Sequence, residues 1–500
     1  MPRSRPFGVL VLGLVVLAAW AMVVGDEPSF LDDAMIVLRY ARNLVEGHGW
    51  VFNPGEVVQA STSPGNTLLL AGGLGLGLEA HLCQRLVAVL ALGLMAFALS
   101  WKWREGCLPV RLLACALVLA VPLWPTVIGL ETLPFCACLL AAVLLHARKE
   151  TVRASVFLGV SCWFRADAIL MLPLLLLVEL GEREDLARRC LRLALPCVAM
   201  LGAWFVLSAV LFGDPFPSTL AAKRAQGASG YWGHGTLYLR GLKQALELDG
   251  GPDVGGRAWL GRVPAVAVLI AGGLLLLLGP LLRRRAGGVV VPGAPRFVWL
   301  MAGFALLQTL AYTVLCVPYY HWYGAPVHLA IALLVVALVD FGWRLELPAG
   351  DGRPTPRRPL RWPALALGLA WLALQVPRVV APRETPHGYR LYHAAAAWLE
   401  QQAVPGQSLA CFEIGNLGWS LPALRIVDPC GLVTPEVQPA LAHGDLASYL
   451  RLEPDWVVLH DPPWELERQT VDAPAFGRRW TQATRIEVGD GPALTIHRRD

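Results

Sequence analysis

Apolar runs close to 20 residues long recur along most of this 500-residue sequence, and each is long enough to cross a bilayer. Backbone polar groups inside such a run must bond to one another, which makes each run a helix. Charged residues are only 16% of the chain, against about 25% in soluble domains. The expected fold class is therefore an α-helical polytopic membrane protein. Eleven spans can be read, at 7–25, 82–101, 108–124, 130–147, 154–164, 168–181, 192–212, 263–282, 297–317, 324–343 and 362–380. Residues 66–79 are apolar but short and glycine-rich, which suits a surface-lying or re-entrant segment better than a span. The stretch Met1-Pro-Arg-Ser-Arg5 can open a signal peptide, but no small-residue cleavage site precedes Asp26. The first run is accordingly read as an uncleaved span.

Charge gives the orientation. With this set of spans, segments 1–6, 102–111, 148–153, 182–192, 283–296 and 344–361 share one side and hold 21 Lys and Arg, Arg283-Arg-Arg285 among them. The opposite side holds 10, six of them in 213–262, and the tail from Arg378 holds 11. Basic segments stay cytoplasmic, so the N-terminus is expected inside and the first loop and tail outside. Three long outer regions result: 26–80, 213–262 and a tail, 381–500, of small-domain size. In that tail Arg390–Ala403 reads as a helix, and Ser408–Glu413, Leu424–Asp428, Trp456–His460 and Ala493–Arg498 read as strands, which predicts a C-terminal extracytoplasmic α/β domain.

Other classes find little support. No basic tract interleaved with aromatics points to nucleic acid. Most of the eleven cysteines lie in apolar runs, where they act as small hydrophobes, and their spacing matches no zinc pattern. Cys411 and Cys430 fall in the tail and can pair in an oxidising compartment.

The first outer loop is the least ordinary part of the chain. It opens with Asp32-Asp33, two adjacent carboxylates at a membrane surface, where desolvation and mutual repulsion both disfavour them. Asp33 can cap a helix running through Val45. Arg39, Arg42, Asn43 and Glu46 form one polar stripe on it, with Asp32 on the same stripe, which predicts an amphipathic helix at the membrane interface. In Asn53-Pro54-Gly55-Glu56, Pro followed by Gly predicts a type II turn. On spacing alone, both aspartates can be plain helix caps.

The order-preserving stretch Asp32-Asp-Ala-x-Ile-x-x-Arg-Tyr-Ala-Arg-Asn-Leu-x-x-Gly-x-Gly-x-Val-Phe-Asn-Pro-Gly-Glu56 resembles the first periplasmic loop of GT-C-type membrane glycosyltransferases. It looks closest to the bacterial branch containing the mycobacterial terminal β-arabinofuranosyltransferases. Weaker echoes follow in order: Gly129-Leu-Glu-Thr132, Phe164-Arg-Ala-Asp167, Gly213-Asp-Pro-Phe-Pro-Ser-Thr-Leu-Ala-Ala-Lys223, Glu413-Ile-Gly-Asn-Leu-Gly-Trp419 and Val427-Asp-Pro-Cys-Gly-Leu432. The chain departs from the pattern at Met35, at Gln59-Ala-Ser-Thr-Ser-Pro64 and at Ala166, positions that bear on the sugar or acceptor pocket.

The resemblance implies a GT-C-like transmembrane catalytic domain over 1–380 and a periplasmic domain over 381–500, in a bacterial inner membrane. It implies a polyprenyl-phosphate sugar donor, possibly of a pentofuranose, and inverting transfer to a glycan, lipid or protein hydroxyl outside that membrane. Such transfer needs a carboxylate to take the acceptor proton, for which Asp32 and Asp33 are the candidates. It needs cations against the phosphate leaving group, for which Arg165, Lys223, Arg39 and His321 are the candidates. Membrane lipid and the isoprenoid tail would lie along the spans. Glu131, Asp167, Tyr320 and Tyr323 are candidate substrate contacts. Plainer readings stand beside each: a local Arg165–Asp167 pair, a solvated Lys223, an aromatic belt over Tyr319–Tyr323, a structural Glu131. No metal constellation is evident, although Asp32 and Asp33 can hold a divalent cation (Mg, Mn or Ca) with the phosphate. The tail can bind acceptor glycan or cap the cavity, and its Trp398, Trp419, Trp456 and Trp464 suit a core as well as sugar platforms. The rival functions are a transporter, disfavoured because no inverted repeat is visible, and a non-catalytic envelope scaffold.

Overall fold

The computed structural model describes residues 31–102, 108–181, 185–232, 238–242, 295–346, 358–380 and 387–500. The expected spans 7–25 and 263–282, and residues 233–237 and 243–262 of the 213–262 loop, lie outside the described residues. Five of the described helices are long and apolar enough to cross a membrane: Ala80–Trp101, Leu186–Phe212, Arg296–Val314, His321–Arg344 and Arg361–Val380. Leu108–Leu119, Thr132–His146 and Thr151–Phe164 are apolar but shorter. The expected span at 168–181 is instead a 3-10 turn, Ala166–Leu170, leading into the short helix Met171–Glu179. Phe135, Phe297, Phe304, Met301 and Leu329 belong to the core that these helices share. Leu186–Phe212 and Arg361–Val380 leave much apolar surface outside it, including Leu195, Val206, Val210, Trp362 and Leu369, as lipid-facing helices do.

The Gly-rich segment forms a helix, Pro64–Gly75, too short to cross, with Leu68, Leu69 and Leu76 exposed. In the first loop the expected helix is present as Asp32–Val45. The expected turn is present too: Glu56 N–H donates to the Asn53 carbonyl at 3.0 Å, and Gly55 has φ +87°, which a residue with a Cβ rarely adopts.

Residues 387–500 open with the helix His387–Gln402 and contain a five-stranded sheet, β1 (Ser408–Ala410), β2 (Arg425–Val427), β3 (Trp456–Asp461), β4 (Trp480–Ile486) and β5 (Ala493–Arg499). The order is β2-β1-β3-β5-β4, with β1 parallel to β2 and β3, and β5 antiparallel to β3 and β4. Four strands match the expectation. β4 was not anticipated, because it is an edge strand whose Thr481, Gln482 and Ala483 face water and give no apolar alternation. Trp456 is core, with Trp398 packed edge-on against it at 5.9 Å, whereas Trp464 is 40% exposed. Cys411 and Cys430 are both free thiols, so the pairing open to them is not formed.

One expectation about the Asp32–Val45 helix fails in an informative way. It does not lie at an open interface. One face packs on Leu70, Ala71, Ala80 and Cys83. Another joins Ile36 and Tyr40 to Leu391, Tyr392, Cys411, Ile414 and Leu417 in a single core shared with the C-terminal region. Arg39, Arg42 and Asn43 of the polar stripe turn inward, and Glu46 alone of the four is exposed. Arg39 is 0% exposed and donates to the carbonyls of Phe52 (2.7 Å), Gly418 (2.5 Å) and Leu424 (3.0 Å). Arg42 donates to Trp419 O at 2.9 Å and stacks on its ring. The Asn53 amide mimics a strand neighbour, exchanging hydrogen bonds with both backbone groups of Ile426 on the open edge of β2.

Candidate active site

The two aspartates part company at the start of this helix. The helix begins after Leu31, and no side chain caps it, so the expected capping by Asp33 does not occur. Asp32 instead reaches into the C-terminal region. Its carboxylate accepts the backbone N–H groups of Gly415 (2.8 Å) and Asn416 (2.6 Å), the free donors that open the Ile414–Ser420 helix. Burial pushes the Asp32 carboxyl up to about 7 despite those two bonds, with Asp33 and Asp428 adding to the rise. The contact is possible because residue 415 is glycine: a Cβ there would sit 1.9 Å from the Asp32 carbonyl oxygen.

Asp33 has no hydrogen-bond partner among the described residues and is only part-buried. Burial raises its carboxyl, Lys223 lowers it, and Glu131 raises it again. Lys223 is brought there by the helix Ser218–Ser229. That helix is pinned at its start by Ser218, whose N–H donates to Gln59 O at 2.9 Å and whose hydroxyl donates to Leu432 O at 2.6 Å. Further along it, Gln226 donates to Cys430 O at 3.0 Å. The Lys223 ammonium bonds the Tyr323 hydroxyl and lies 5.9 Å and 5.0 Å from the ring centres of Tyr320 and Tyr323. Burial, with Asp33 nearby, raises the Tyr320 phenol. The aromatic turn is thus part of this site: Tyr238, Tyr312 and Tyr323 share one cluster with Tyr320.

Arg165 follows the Thr151–Phe164 helix and is held on three sides. It meets both Asp167 oxygens at 3.2 Å, Glu131 Oε1 at 3.2 Å and the Tyr312 hydroxyl at 2.5 Å, and it lies 4.7 Å from the Tyr323 ring centre. Tyr312 and Gln308 in turn donate to Asp167 at 2.6 and 2.7 Å. Arg165 and its field pull the Asp167 carboxyl down against burial. The local pair anticipated as the plain reading is therefore formed, and Glu131 completes it.

Two expected phosphate ligands do not join the site. Arg39 is a correction: its guanidinium is spent on buried carbonyls, and burial lowers it to about 9. His321 lies on the aromatic turn but hydrogen-bonds the Thr126 backbone and neighbours His328. A resident cation at Asp32 and Asp33 does not fit the donor set. Both Asp32 oxygens already accept N–H donors at a positive helix end, and among the described residues no three His, Cys, Asp or Glu are placed to hold a metal ion.

One residue that sequence reasoning passed over is Glu413. It directly precedes the helix whose N–H groups hold Asp32. Burial, with Asp32, Asp33 and Glu467 nearby, holds its carboxyl well above the usual range. Its only sequence signal was its place in the Glu413–Trp419 echo.

Over 409 residues, 73% of its length, the chain is 28% identical to the terminal beta-(1->2)-arabinofuranosyltransferase of Mycobacterium tuberculosis. The chain is a homologue of that enzyme. It spans 60% of the relative's length. Residues 383–497 match the family described as Domain of unknown function (DUF8728). Two cryo-EM structures of arabinofuranosyltransferase AftD from Mycobacteria align over 97% and 98% of this chain and 41% of theirs, at 16% identity and TM-scores of 0.46 and 0.43. The resemblance read from the first loop holds through the enzyme from Mycobacterium tuberculosis.

Proposed function

We propose that the chain is a GT-C-type membrane glycosyltransferase that moves a sugar, with inversion, from a polyprenyl-phosphate donor to a hydroxyl of an envelope glycan on the extracytoplasmic side. The observation that carries this reading is the asymmetry of the acidic pair. Asp32 is consumed by the Gly415 and Asn416 N–H groups, whereas Asp33 is part-open, unbonded and beside a cation. Asp33 is then the general base, and Asp32 is the residue that positions it. As the acceptor oxygen attacks the anomeric carbon, its proton passes to Asp33 and the bond to the phosphate breaks. Charge growing on the phosphate is met by the Lys223 ammonium, with Arg165 adding positive potential while it stays tied to Glu131 and Asp167. Tyr320 and Tyr323 offer ring faces to the sugar. Glu131 and Asp167 act through Arg165. In this reading residues 1–380 form the catalytic membrane domain with about eleven spans, and 381–500 form an extracytoplasmic α/β domain that roofs the site.

The test is turnover by the purified protein in detergent, offered a panel of polyprenyl-phosphate sugars with Asp33→Asn and Asp32→Asn alongside. The expected result is release of polyprenyl phosphate by the wild type and a loss of about 10²–10⁴-fold in Asp33→Asn. Asp32→Asn retains part of the rate and loses thermal stability. Equal turnover by wild type and Asp33→Asn removes Asp33 from the chemistry. Failure of the wild type on every donor, with undiminished binding to both variants, removes the reaction itself.

A further inference from the structure

The segment Val427-Asp-Pro-Cys-Gly-Leu432 stands out in the sequence but has no part in the reading above, and neither has Asp428 within it, a carboxylate with 0% exposure. This carboxylate builds a turn. Its oxygens accept the backbone N–H groups of Cys430 (2.7 Å), Leu432 (2.5 Å) and Val433 (3.2 Å), and its own N–H donates to the Thr434 hydroxyl at 2.8 Å. Gathering the donors on one carboxylate leaves the carbonyls of Cys430, Gly431 and Leu432 as a row of acceptors. All three serve the helix that carries Lys223. Cys430 O accepts the Gln226 amide at 3.0 Å, and Leu432 O accepts the Ser218 hydroxyl at 2.6 Å. Gly431 O accepts the Gln438 amide at 2.7 Å, and that same nitrogen donates to Ser218 O at 3.3 Å. Ala225 adds a small apolar contact with Leu441 and Leu446. The helix is thus seated over about two turns of its length, with Lys223 between its two pins.

The acidic pair is held from the same end of the same sheet. Gly415 and Asn416, whose N–H groups bind Asp32, follow β1, and Asp428 follows β2 directly. β1 and β2 are parallel neighbours with Ala410 opposite Val427, and such strands lie about 4.8 Å apart. We propose that the C-terminal region is the template of the active site: the Asp428 turn is a socket for the Ser218–Ser229 helix, and the β1–β2 pair sets the place of Lys223 relative to Asp32 and Asp33. The inference rests on the glycosyltransferase reading. Its physical reason is that an ammonium on a four-carbon stem is a poorly placed charge unless the backbone beneath it is fixed. A charge fixed beforehand needs no reorganisation as the phosphate gains charge. Ser218, Gln226 and Asp428 are positioning residues that act through Lys223.

The experiment uses the full chain in detergent, with Ser218→Ala and Gln226→Leu combined, in the wild type and in Lys223→Met. In the wild-type background the pair is expected to lower kcat by about 10- to 100-fold, as a small misplacement of a charge does. Ser218→Thr, which keeps the hydroxyl, restores most of the rate lost in Ser218→Ala. In Lys223→Met the pair lowers the rate no further, because the cation it places is gone. A loss of folded protein would instead lower both backgrounds by the same factor. Equal losses in the two backgrounds, or a full rate in the combined variant, overturn the socket and leave the glycosyltransferase reading standing if the wild type is active. Acylation of the Lys223 amine, followed by mass spectrometry, needs no turnover. It is expected to quicken several-fold in the combined variant as the helix loosens. An unchanged acylation rate overturns the socket whatever the activity is.

Discussion

At the scale of residues, the acidic pair has two different fates because two different environments meet at one helix start. Asp32 sees backbone donors, and Asp33 sees Lys223 and Glu131. The pH behaviour follows with definite signs. A base works when ionised, so kcat/KM rises with pH through the raised Asp33 value. Lys223 lowers that value, so Lys223→Met moves the acid limb of the profile to higher pH. Glu131 raises it, so Glu131→Gln moves the limb to lower pH. Limbs that stay put in both variants remove Asp33 from the profile. Stability carries its own signature at Asp32, whose folded value is about 7, against about 3.9 in an unfolded chain. The folded state binds the extra proton, so this contribution is fully present below about pH 4 and is lost as pH rises through about 7. Asp32→Asn flattens that loss, which thermal unfolding between pH 4 and 8 measures. None of this was legible in Asp32-Asp33 itself, since adjacent identical residues carry no sign of which one will be bonded.

At the scale of elements, the short Ile414–Ser420 helix decides the geometry of the site by packing almost backbone to backbone on Asp32–Val45. Glycine permits this at two places. At Gly418 an added Cβ would meet the Phe52 ring at 2.8 Å and the Arg39 guanidinium at 2.9 Å, and at Gly415 it would meet backbone. Gly415→Ala is therefore expected to cost about 3 kcal/mol or more and to loosen Asp32. Gly72→Ala is the control: it sits in a helix with open space around it, and alanine there gains about 0.5–1 kcal/mol. The pair is compared by thermal unfolding in detergent, and equal midpoints contradict the close packing. The first-loop helix and the Asn53–Glu56 turn were legible because their signals are local: apolar spacing in one case, a Pro-Gly pair in the other. β4 was not legible, because an exposed edge strand lacks the alternation that marks a half-buried one.

At the scale of the whole molecule, the orientation read from charge has a direct check. Cys316, exposed just past the Arg296–Val314 helix, belongs to the outer side on this reading, and the half-buried Cys190 near the start of Leu186–Phe212 belongs to the inner side. A membrane-impermeant maleimide is expected to label Cys316 in intact cells and Cys190 only after permeabilisation. The reverse order inverts the topology. The sequence by itself determined that the chain enters a membrane and which short stretch bears the acidic pair, because hydrophobicity and turn chemistry act over a few residues to a few tens of residues. Only the tertiary structure decided that Arg39 is a structural ligand of Gly418, 379 residues away, and not a phosphate contact. The same fold brought Glu413 to the aspartates and left Asp33 as the unbonded carboxylate. Those outcomes depend on which distant backbone groups each charge finds on burial, and no local pattern of residues encodes that pairing.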